Sequence, residues 1–409
     1  MAALRLAPGA TRFKVVQFTD LHFGVDAGRA ARSLDVMRAV LASEPDVNLV
    51  VYSGDLVNAD EMHSRTLNKD GSLDAAWFER QWALAVSPAR NVPHAVALGN
   101  HDLRGTLDAD AILAVAMQQN GSVVRRAEAA APGSAASPAA FDYYVDVQAA
   151  DGSLAHRLWF LNSWDDRCEG QRPWGCVSPG EVAWATQAAD AAPRPAGDSV
   201  AFVHIPLPQL QPDLLRGATG TMQESVSCPA VETGVAGWAR SAGIAAVLSG
   251  HDHANDYAGF WAPPEAPRLH PDVDADADGA ILLAYGRNTG YGGYGPGELQ
   301  RGARVLELRA GGGLRTWVRQ EDGTRVAFGA PFEFHKPPRH MLITPHLAHQ
   351  LAEAALAAFI FFLSAWALWR LRRRRAATQH KGKHAQGDAE DPEAQPNTLH
   401  AVLLSGYNS

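Results

Sequence analysis

The sequence has few cysteines and no excess of positive charge. It holds three cysteines in 409 residues and no CxxC pair. Cys168 and Cys176 could close a short disulfide loop that leaves Cys228 free. Alternatively, all three are scattered thiols without a role, and the redox compartment stays open. Residues 1–369 carry 29 basic and 40 acidic side chains, a net charge of −11. This balance excludes general nucleic-acid binding, which needs a basic face to neutralise phosphates.

The beginning of the chain lacks the features of a secretory signal. Residues 1–10 contain no charged segment followed by a long apolar run. We therefore expect either a protein without a secretion signal or a sequence that lacks its natural start. The first run typical of a buried strand begins near Phe13, so residues 1–12 are interpreted as a lead-in.

One long apolar run lies near the C-terminus. Residues 354–369 contain no charged side chain, and the run becomes long enough for a membrane span when it is extended to 351–371. Four arginines at 372–375 favour a cytosolic position for the tail at 372–409, which is basic, then acidic, and typical of disorder. We predict a linker at 336–350 and a single-pass membrane helix at 351–371; the alternative is a core or partner-binding helix. The side of the membrane that holds the rest of the chain stays open, because the arginines imply export and no export signal is visible.

Five apolar runs, each typical of a buried β-strand, end in Asp, Asn or His. Strands that alternate with helical patterns early in the chain, and hairpin-like strands late in it, favour a mixed α/β fold. Open α/β sheets bind ligands at the carboxyl ends of their strands, so these polar residues are candidates for one shared site. The runs are Val15–Thr19 before Asp20 and His22, Leu49–Ser53 before Asp55, His94–Leu98 before Asn100, Ala201–Val203 before His204, and Ala245–Ser249 before His251 and His253.

These seven candidate ligands supply oxygen and nitrogen donors and no thiolate. Two divalent cations need about that many protein ligands when water completes the coordination. Asp55 is a candidate bridge, because one carboxylate can bind two ions. His101 suits the role of an acid, with Asp102 orienting its ring and keeping it protonated. Asn100 is also a candidate substrate contact.

Two further stretches attract attention. The glycine-rich run Tyr285–Gly295 is either a pocket wall or a flexible surface loop. As a pocket wall it would make Arg287 a candidate phosphate contact. The acidic repeat Pro271–Gly279 resembles the start of a calcium-binding EF-hand loop, but Tyr285 occupies the position of the bidentate glutamate. We interpret this repeat as a solvated acidic loop.

The order of the motifs resembles the calcineurin-like metallophosphoesterases. The resemblance covers about residues 13–320 and rests on Asp20-x-His22, Gly54-Asp55, Gly99-Asn100-His101-Asp102, His204 and Gly250-His251-Asp252-His253. The stretches His204–Pro208, Gly250–Asp256 and Tyr285–Gly295 look more narrowly like the purple-acid-phosphatase-like branch of plants, algae and fungi.

The resemblance implies a fold, a cofactor and a reaction. The implied fold is a four-layer α/β/β/α sandwich of two mixed β-sheets flanked by helices over residues 13–335, to which the predicted C-terminal hydrophobic helix is added. The implied reaction is hydrolysis of a phosphate ester, in which a metal-bound hydroxide attacks phosphorus in line and His101 protonates the leaving group. The implied cofactor is a pair of Fe, Mn or Zn ions, one held by Asp20, His22, Asp55 and His253, and the other by Asp55, Asn100, His204 and His251.

Two positions depart from the true purple acid phosphatases. Those enzymes have a metal-ligating Tyr three residues after the Asp of the second motif and a Gly two residues after the first Asp. This chain has Asn58 and His22 there. The resemblance therefore implies a site of the calcineurin type, without the tyrosinate colour. It leaves open a phosphomonoester or a diester substrate, such as a nucleotide or lipid head group, and also a non-catalytic membrane-anchored scaffold on the same fold. The oligomeric state is open as well.

Overall fold

The computed structural model describes residues 4–61, 75–128, 138–263, 280–327 and 333–334. All of these residues belong to one compact unit, Met1–His346. No helix in this described part of the chain is long and apolar enough to cross a membrane.

Several predicted segments lie outside the described residues. They are the acidic repeat at 271–279, the linker at 336–350, the membrane span at 351–371 and the tail at 372–409.

The strands are short, and several of them are buried over their whole length. In chain order they are β1 (Leu4–Arg5), β2 (Arg12–Phe18), β3 (Leu49–Ser53), β4 (His94–Ala97), β5 (Tyr143–Gln148), β6 (Leu154–Phe160), β7 (Ser199–Phe202), β8 (Arg216–Thr219), β9 (Thr221–Met222), β10 (Ile244–Ser249), β11 (Ala258–Trp261), β12 (Ile281–Tyr285), β13 (Gly302–Arg309), β14 (Leu314–Gln320), β15 (Arg325–Ala327) and β16 (Glu333–Phe334).

Two mixed sheets form the centre of the unit. The larger has the strand order β1-β5-β6-β7-β10-β12-β11-β8, and the smaller has the order β15-β14-β13-β2-β3-β4. In the smaller sheet β2, β3 and β4 are parallel, and in the larger sheet β6, β7, β10 and β12 are parallel. The loops that follow neighbouring parallel strands therefore meet at one edge of each sheet. The prediction of two mixed sheets with helices is confirmed.

The helices begin at side-chain caps that the sequence carries. Asp26 accepts a hydrogen bond from the Arg29 backbone N–H and caps the first helix. Asp108 caps the third helix in the same way, and Ser178 with Glu181 forms a capping box at the fourth. The helices of the described residues are α1 (Ala27–Ser43), α2 (Ala75–Val86), α3 (Ala109–Met117), α4 (Pro179–Ala191) and α5 (Val235–Ser241).

The larger sheet is buried on both faces. Successive residues of a strand point to opposite faces. Phe160 of β6 accordingly joins the apolar core that includes Val16 and Phe18 of the smaller sheet. Its neighbour Trp159 joins a second core with helix residues, and its ring lies edge-on to that of Trp238 in α5 at 5.4 Å. Packing on both faces fixes the carboxyl ends of these strands. The predicted lead-in also takes part, because β1 pairs with β5.

Candidate metal centre

The seven predicted ligands lie together where the parallel strands of both sheets end. Each is buried, with at most 8% of its surface exposed. The strands deliver them from different parts of the chain, so distant segments build one site. Asp20 and His22 follow β2, Asp55 follows β3, Asn100 follows β4, His204 follows β7, and His251 and His253 follow β10.

The donor atoms form two groups that share Asp55. One contains Asp20, His22, Asp55 and His253, and the other contains Asp55, His204 and His251. Within each group the donor atoms lie within 4.8 Å of one another. The two groups meet at Oδ2 of Asp55, which is 3.5 Å from His22 Nε2 and 3.2 Å from His204 Nε2. Asn100 joins the second group, because its Oδ1 is 3.1 Å from His204 Nε2. The grouping is the one that the resemblance implies; binding of ions by these residues stays a prediction.

Glycines allow the motif loops to approach one another this closely. A Cβ at Gly54 would lie 2.3 Å from His204 Nδ1, and a Cβ at Gly99 would lie 2.2 Å from the Asp55 nitrogen. Gly54 also has a φ of 100°, which residues with a Cβ rarely adopt. The glycines of these motifs are therefore required by packing around Asp55.

Four of the predicted ligands have a left-handed backbone. The φ angle is 58° at Asp20, 49° at His22, 53° at Asp55 and 77° at His251. For residues with a Cβ this conformation is unfavourable by about 1–3 kcal/mol each, and such residues cluster at functional sites. Hydrogen bonds hold two of them in place: the Asp20 N–H donates to the Gly54 carbonyl at 3.1 Å, and the His22 N–H donates to the Asp55 carbonyl at 2.9 Å.

The electrostatics of the site keep the carboxylates ionised. Burial alone would raise the pKa of Asp20, but the nearby His253 and His204 lower the pKa to about 2. Burial would likewise raise the pKa of Asp55, and His204 holds it well below its usual range. Both side chains are therefore anionic at neutral pH and can act as metal ligands.

The histidines divide into two classes. Burial lowers the pKa of His22 to about 3 and the pKa of His251 far below its usual range, so both rings are neutral and offer a lone pair. Burial also disfavours the charged form of His204, but Asp55 outweighs it and raises the pKa to about 9. The pKa of His253 is raised too, with Asp20 outweighing burial. The carboxylates thus attract positive charge to the centre of the site.

One buried nitrogen of the site lacks a partner that a cation could supply. His251 Nε2 is buried and has no hydrogen-bond partner among the described residues, and a neutral imidazole can offer a cation a lone pair there. In the other group, His22 Nε2 and His253 Nε2 lie 3.2 Å apart. Together with the ionised carboxylates, this donor set fits two metal ions. Oxygen and nitrogen donors without thiolate suit Fe, Mn and Zn and do not select among them.

A cleft of about 290 Å³ opens onto the two groups. Its walls include five residues singled out from the sequence, namely His22, Asp55, His101, His251 and His253. Asn58, Trp174 and Tyr294 also line it. The cleft places His101 beside the predicted metal ligands, and its ring lies edge-on to that of His22 with centroids 4.8 Å apart.

Asp102 does not orient His101, so that prediction is wrong. Asp102 is fully buried, where it accepts hydrogen bonds from the Val57 nitrogen at 2.8 Å and from the Gly99 nitrogen at 3.0 Å. It therefore joins the loops that follow β3 and β4. Burial, reinforced by Asp55, raises the pKa of Asp102 to about 7.

Asp60 contacts His101 instead. Its Oδ2 lies 2.7 Å from His101 Nδ1, and Asn58 Oδ1 lies 3.0 Å from the same nitrogen. On the other side of the ring, Arg104 approaches Nε2 at 3.3 Å. The sequence analysis missed Asp60 and Arg104. The position of Asp60 soon after Gly54-Asp55 is the only signal that could have suggested it.

Arg287 does not line the cleft, so its prediction as a phosphate contact is corrected. The side chain is 3% exposed and forms an ion pair with Asp256 Oδ2 at 2.5 Å. It also donates to the Gln300 carbonyl at 2.8 Å. The glycine-rich run nevertheless forms a pocket wall, as one of the two predicted alternatives had it, because Gly292, Gly293 and Tyr294 line the cleft.

Two cysteines form a disulfide near the site. Cys168 and Cys176 are bonded, whereas Cys228 is free, so the interpretation of all three as scattered thiols is wrong. The closed loop carries Trp174 to the cleft, where its ring lies edge-on to that of His251 at 4.4 Å. Trp174 was not singled out from the sequence.

The comparison with known protein families shows which family this chain belongs to. The family described as calcineurin-like phosphoesterase matches residues 13–255. The chain belongs to this family. The motifs of the calcineurin-like phosphoesterase family thus account for the residues that the parallel strands bring together.

Relatives of this calcineurin-like phosphoesterase come from plants and a fungus. "Probable inactive purple acid phosphatase 28" of Arabidopsis thaliana is 26% identical over 325 residues, which are 75% of this chain and 77% of that protein. "Probable inactive purple acid phosphatase 29" of the same plant is 25% identical over 352 residues, 76% of this chain and 82% of that protein. "Uncharacterized protein C1020.05" of Schizosaccharomyces pombe is 28% identical over 327 residues, 75% of this chain and 56% of that protein. The two plant relatives agree with the purple-acid-phosphatase-like branch.

Solved structures resemble this chain more weakly than these relatives do. Purple acid phosphatase PPD1 from yellow lupin shares 13% identity, with a TM-score of 0.48 over 82% of this chain and 56% of that one. A dimetal phosphatase from Danio rerio shares 12% identity, with a TM-score of 0.47 over 78% of this chain and 100% of that one. Both similarities are too low to support an argument about function.

Proposed function

We propose that this protein is a phosphoester hydrolase that depends on two metal ions. The observation that carries the proposal is the shared position of Asp55 between two buried donor groups, at the base of a cleft that also contains His101. Four of the donors have the protonation states that ligands need, since Asp20 and Asp55 are ionised and His22 and His251 are neutral. His204, whose pKa is raised, would release its proton when an ion binds. A chain that had lost its metal site would be expected to lack at least one of these groups.

Some residues of the site would bind the metal ions, and His101 would transfer a proton. Asp55 would hold one ion of each group, with Asp20, His22 and His253 on one side and Asn100, His204 and His251 on the other. When bound, two such ions activate water and neutralise charge on the phosphoryl oxygens. His101 would donate a proton from Nε2 to the leaving oxygen while its Nδ1–H stays on Asp60, and the leaving oxygen would take the place of Arg104, which contacts Nε2 at 3.3 Å in this structure. Asp60 is thus a positioning residue.

Metal-dependent turnover tests the proposal. The purified chain is stripped of metal, reloaded in turn with Mn, Fe and Zn, and assayed with a chromogenic phosphomonoester and the matching diester. We expect turnover that a chelator abolishes, and the ratio of the two rates identifies the ester class. Bound metal without turnover of either ester would contradict the hydrolase proposal and favour a non-catalytic role, in line with the word "inactive" in the names of the plant relatives.

Substitution of Asp60 should lower activity, whereas substitution of Asp102 should lower stability. In Asp60→Asn the ring of His101 loses its charged partner, so we expect kcat to fall about 10–100-fold with little change in KM or thermal stability. In Asp102→Asn one amide hydrogen faces a backbone N–H, so we expect a loss of about 1–3 kcal/mol in the free energy of unfolding. Steady-state kinetics and urea denaturation on both variants separate the two roles. A larger kcat defect with unchanged stability in Asp102→Asn would restore the assignment made from the sequence.

A further inference from the structure

The described walls of the cleft contain no lysine or arginine. Their charged groups are aspartates and histidines, and these belong to the metal centre or its immediate surroundings. Arg104 contacts His101 Nε2 at 3.3 Å, and its charge is already paired with Asp165 Oδ1 at 3.0 Å and Asp60 Oδ2 at 3.8 Å. A second phosphate or a carboxylate on the leaving group would therefore find no free cationic partner in this part of the chain. The described lining therefore favours a leaving group that carries no further negative charge.

Tyr294 presents an aromatic ring at one wall. The residue is 53% exposed. Its ring stacks on that of His253 with centroids 4.1 Å apart and an interplanar angle of 11°. Its hydroxyl donates to Glu224 Oε2 at 2.8 Å, and its carbonyl accepts from Asn288 Nδ2 at 3.1 Å. One face of the ring is thus covered and fixed, while much of the residue remains accessible.

Trp174 presents a second aromatic ring at the same cleft. The disulfide between Cys168 and Cys176 closes its loop, and the Gly175 nitrogen donates to the Asp165 carbonyl at 2.9 Å. The indole lies edge-on to His251, so it borders the second donor group as Tyr294 borders the first. Its Nε1 is buried and has no hydrogen-bond partner among the described residues. The loop fixes this side chain without using its polar atom.

We infer that the substrate is a phosphoester whose leaving group carries an uncharged, planar aromatic ring. The ring would pack against Tyr294 and Trp174 while the phosphoryl group lies at the metal centre, because aromatic pairs gain more than the area that they bury. The inference rests on the proposed hydrolase function for the ester bond. The selectivity for the ring comes from the two aromatic walls alone.

Equilibrium binding tests this selectivity without any chemical step. Isothermal titration calorimetry is carried out on the metal-loaded full chain, whose metal content is measured first. The probes are benzylphosphonate, cyclohexylmethylphosphonate and 4-carboxybenzylphosphonate, none of which is hydrolysed. We expect benzylphosphonate to bind about fivefold tighter than the cyclohexyl analogue, as aromatic contacts of this kind allow. The carboxylated probe should bind more weakly than benzylphosphonate.

Variants assign the selectivity to the two rings. Tyr294→Leu and Trp174→Leu should each lower the benzyl-to-cyclohexyl ratio at least twofold, while Tyr294→Phe and Trp174→Phe keep it. Leu214→Ala, at a residue 49% exposed that does not line the cleft, is the surface control. If Trp174→Leu does not fold, the exposed Tyr294 still supplies the comparison. Equal binding of the two probes to the wild-type chain, or a ratio unchanged in both leucine variants, would overturn the inference.

The binding measurement and the turnover assay test the aromatic site and the hydrolase function separately. A benzyl preference in a chain that turns over no ester keeps the aromatic site and removes the hydrolase function. Metal-dependent turnover without a benzyl preference overturns the aromatic site and keeps the hydrolase function.

Discussion

The Asp55→Asn variant should lose both metal ions and nearly all hydrolysis. Asp55 is the only residue that belongs to both donor groups of the described site, and its Oδ2 is within 3.5 Å of a histidine from each. A neutral amide cannot supply the anionic oxygen that both groups use. We expect kcat/KM to fall by more than about a hundredfold, since even the partners of metal ligands typically contribute 10–100-fold. Metal content by mass spectrometry and kcat/KM are measured on the same preparation.

Asp35→Asn is the matched control for this variant. Asp35 lies on α1 with 76% of its side chain exposed, and its recorded ion pair joins it to Arg38 on the same helix. The control removes the same charge from a site far from the donors, so its metal content and rate should equal those of the wild type. An Asp55→Asn chain that keeps two ions per molecule and its full rate would refute the shared-ligand assignment.

The His101→Asn variant should lose kcat to an extent that depends on the leaving group of the ester. A general acid typically contributes 10²–10⁴-fold to the rate. We expect a loss of about that size for an alkyl phosphoester, whose leaving oxygen needs a proton. For a nitrophenyl ester, whose leaving group departs as a stable anion, the loss should be close to tenfold or less. The measurement is kcat on both esters with wild-type and variant protein.

Metal content distinguishes a lost acid from a damaged centre. The His101 ring lies beside His22 and is not part of either donor group, so the variant should still bind two ions. An equal loss on both esters, with the metal retained, would mean that His101 positions the substrate instead of protonating the leaving oxygen.

The cluster of seven donor residues could be predicted from the sequence because its determinants are local. Each follows an apolar strand directly, and parallel strands bring their carboxyl ends to one edge whatever the intervening chain does. Asp20, Asp55 and His204 needed no knowledge of loop conformation. The alternation of strands and helices predicted a mixed α/β fold, and the resemblance to the family implied its two mixed sheets.

The surroundings of the ligands could not be predicted, since they depend on how turns direct side chains. His101 and Asp102 are adjacent in a short 3₁₀ helix, where successive residues point about 120° apart. Asp102 therefore faces the backbone of the neighbouring loops, and Asp60 reaches the imidazole. Arg287 looked free in a glycine-rich run, but its partner Asp256 comes from a distant part of the sequence. Trp174 and Tyr294 likewise reach the cleft only through the folded loops.

The left-handed backbone at Asp20, His22, Asp55 and His251 has a consequence for how such a chain can change over generations. Glycine would relieve the unfavourable φ angle at each position, yet it would also remove a donor from the site. A lineage that no longer needed metal would be free to make these exchanges and gain stability. This chain has glycine at none of the four positions. It therefore keeps four unfavourable backbone conformations that glycine would relax only at the expense of a donor side chain.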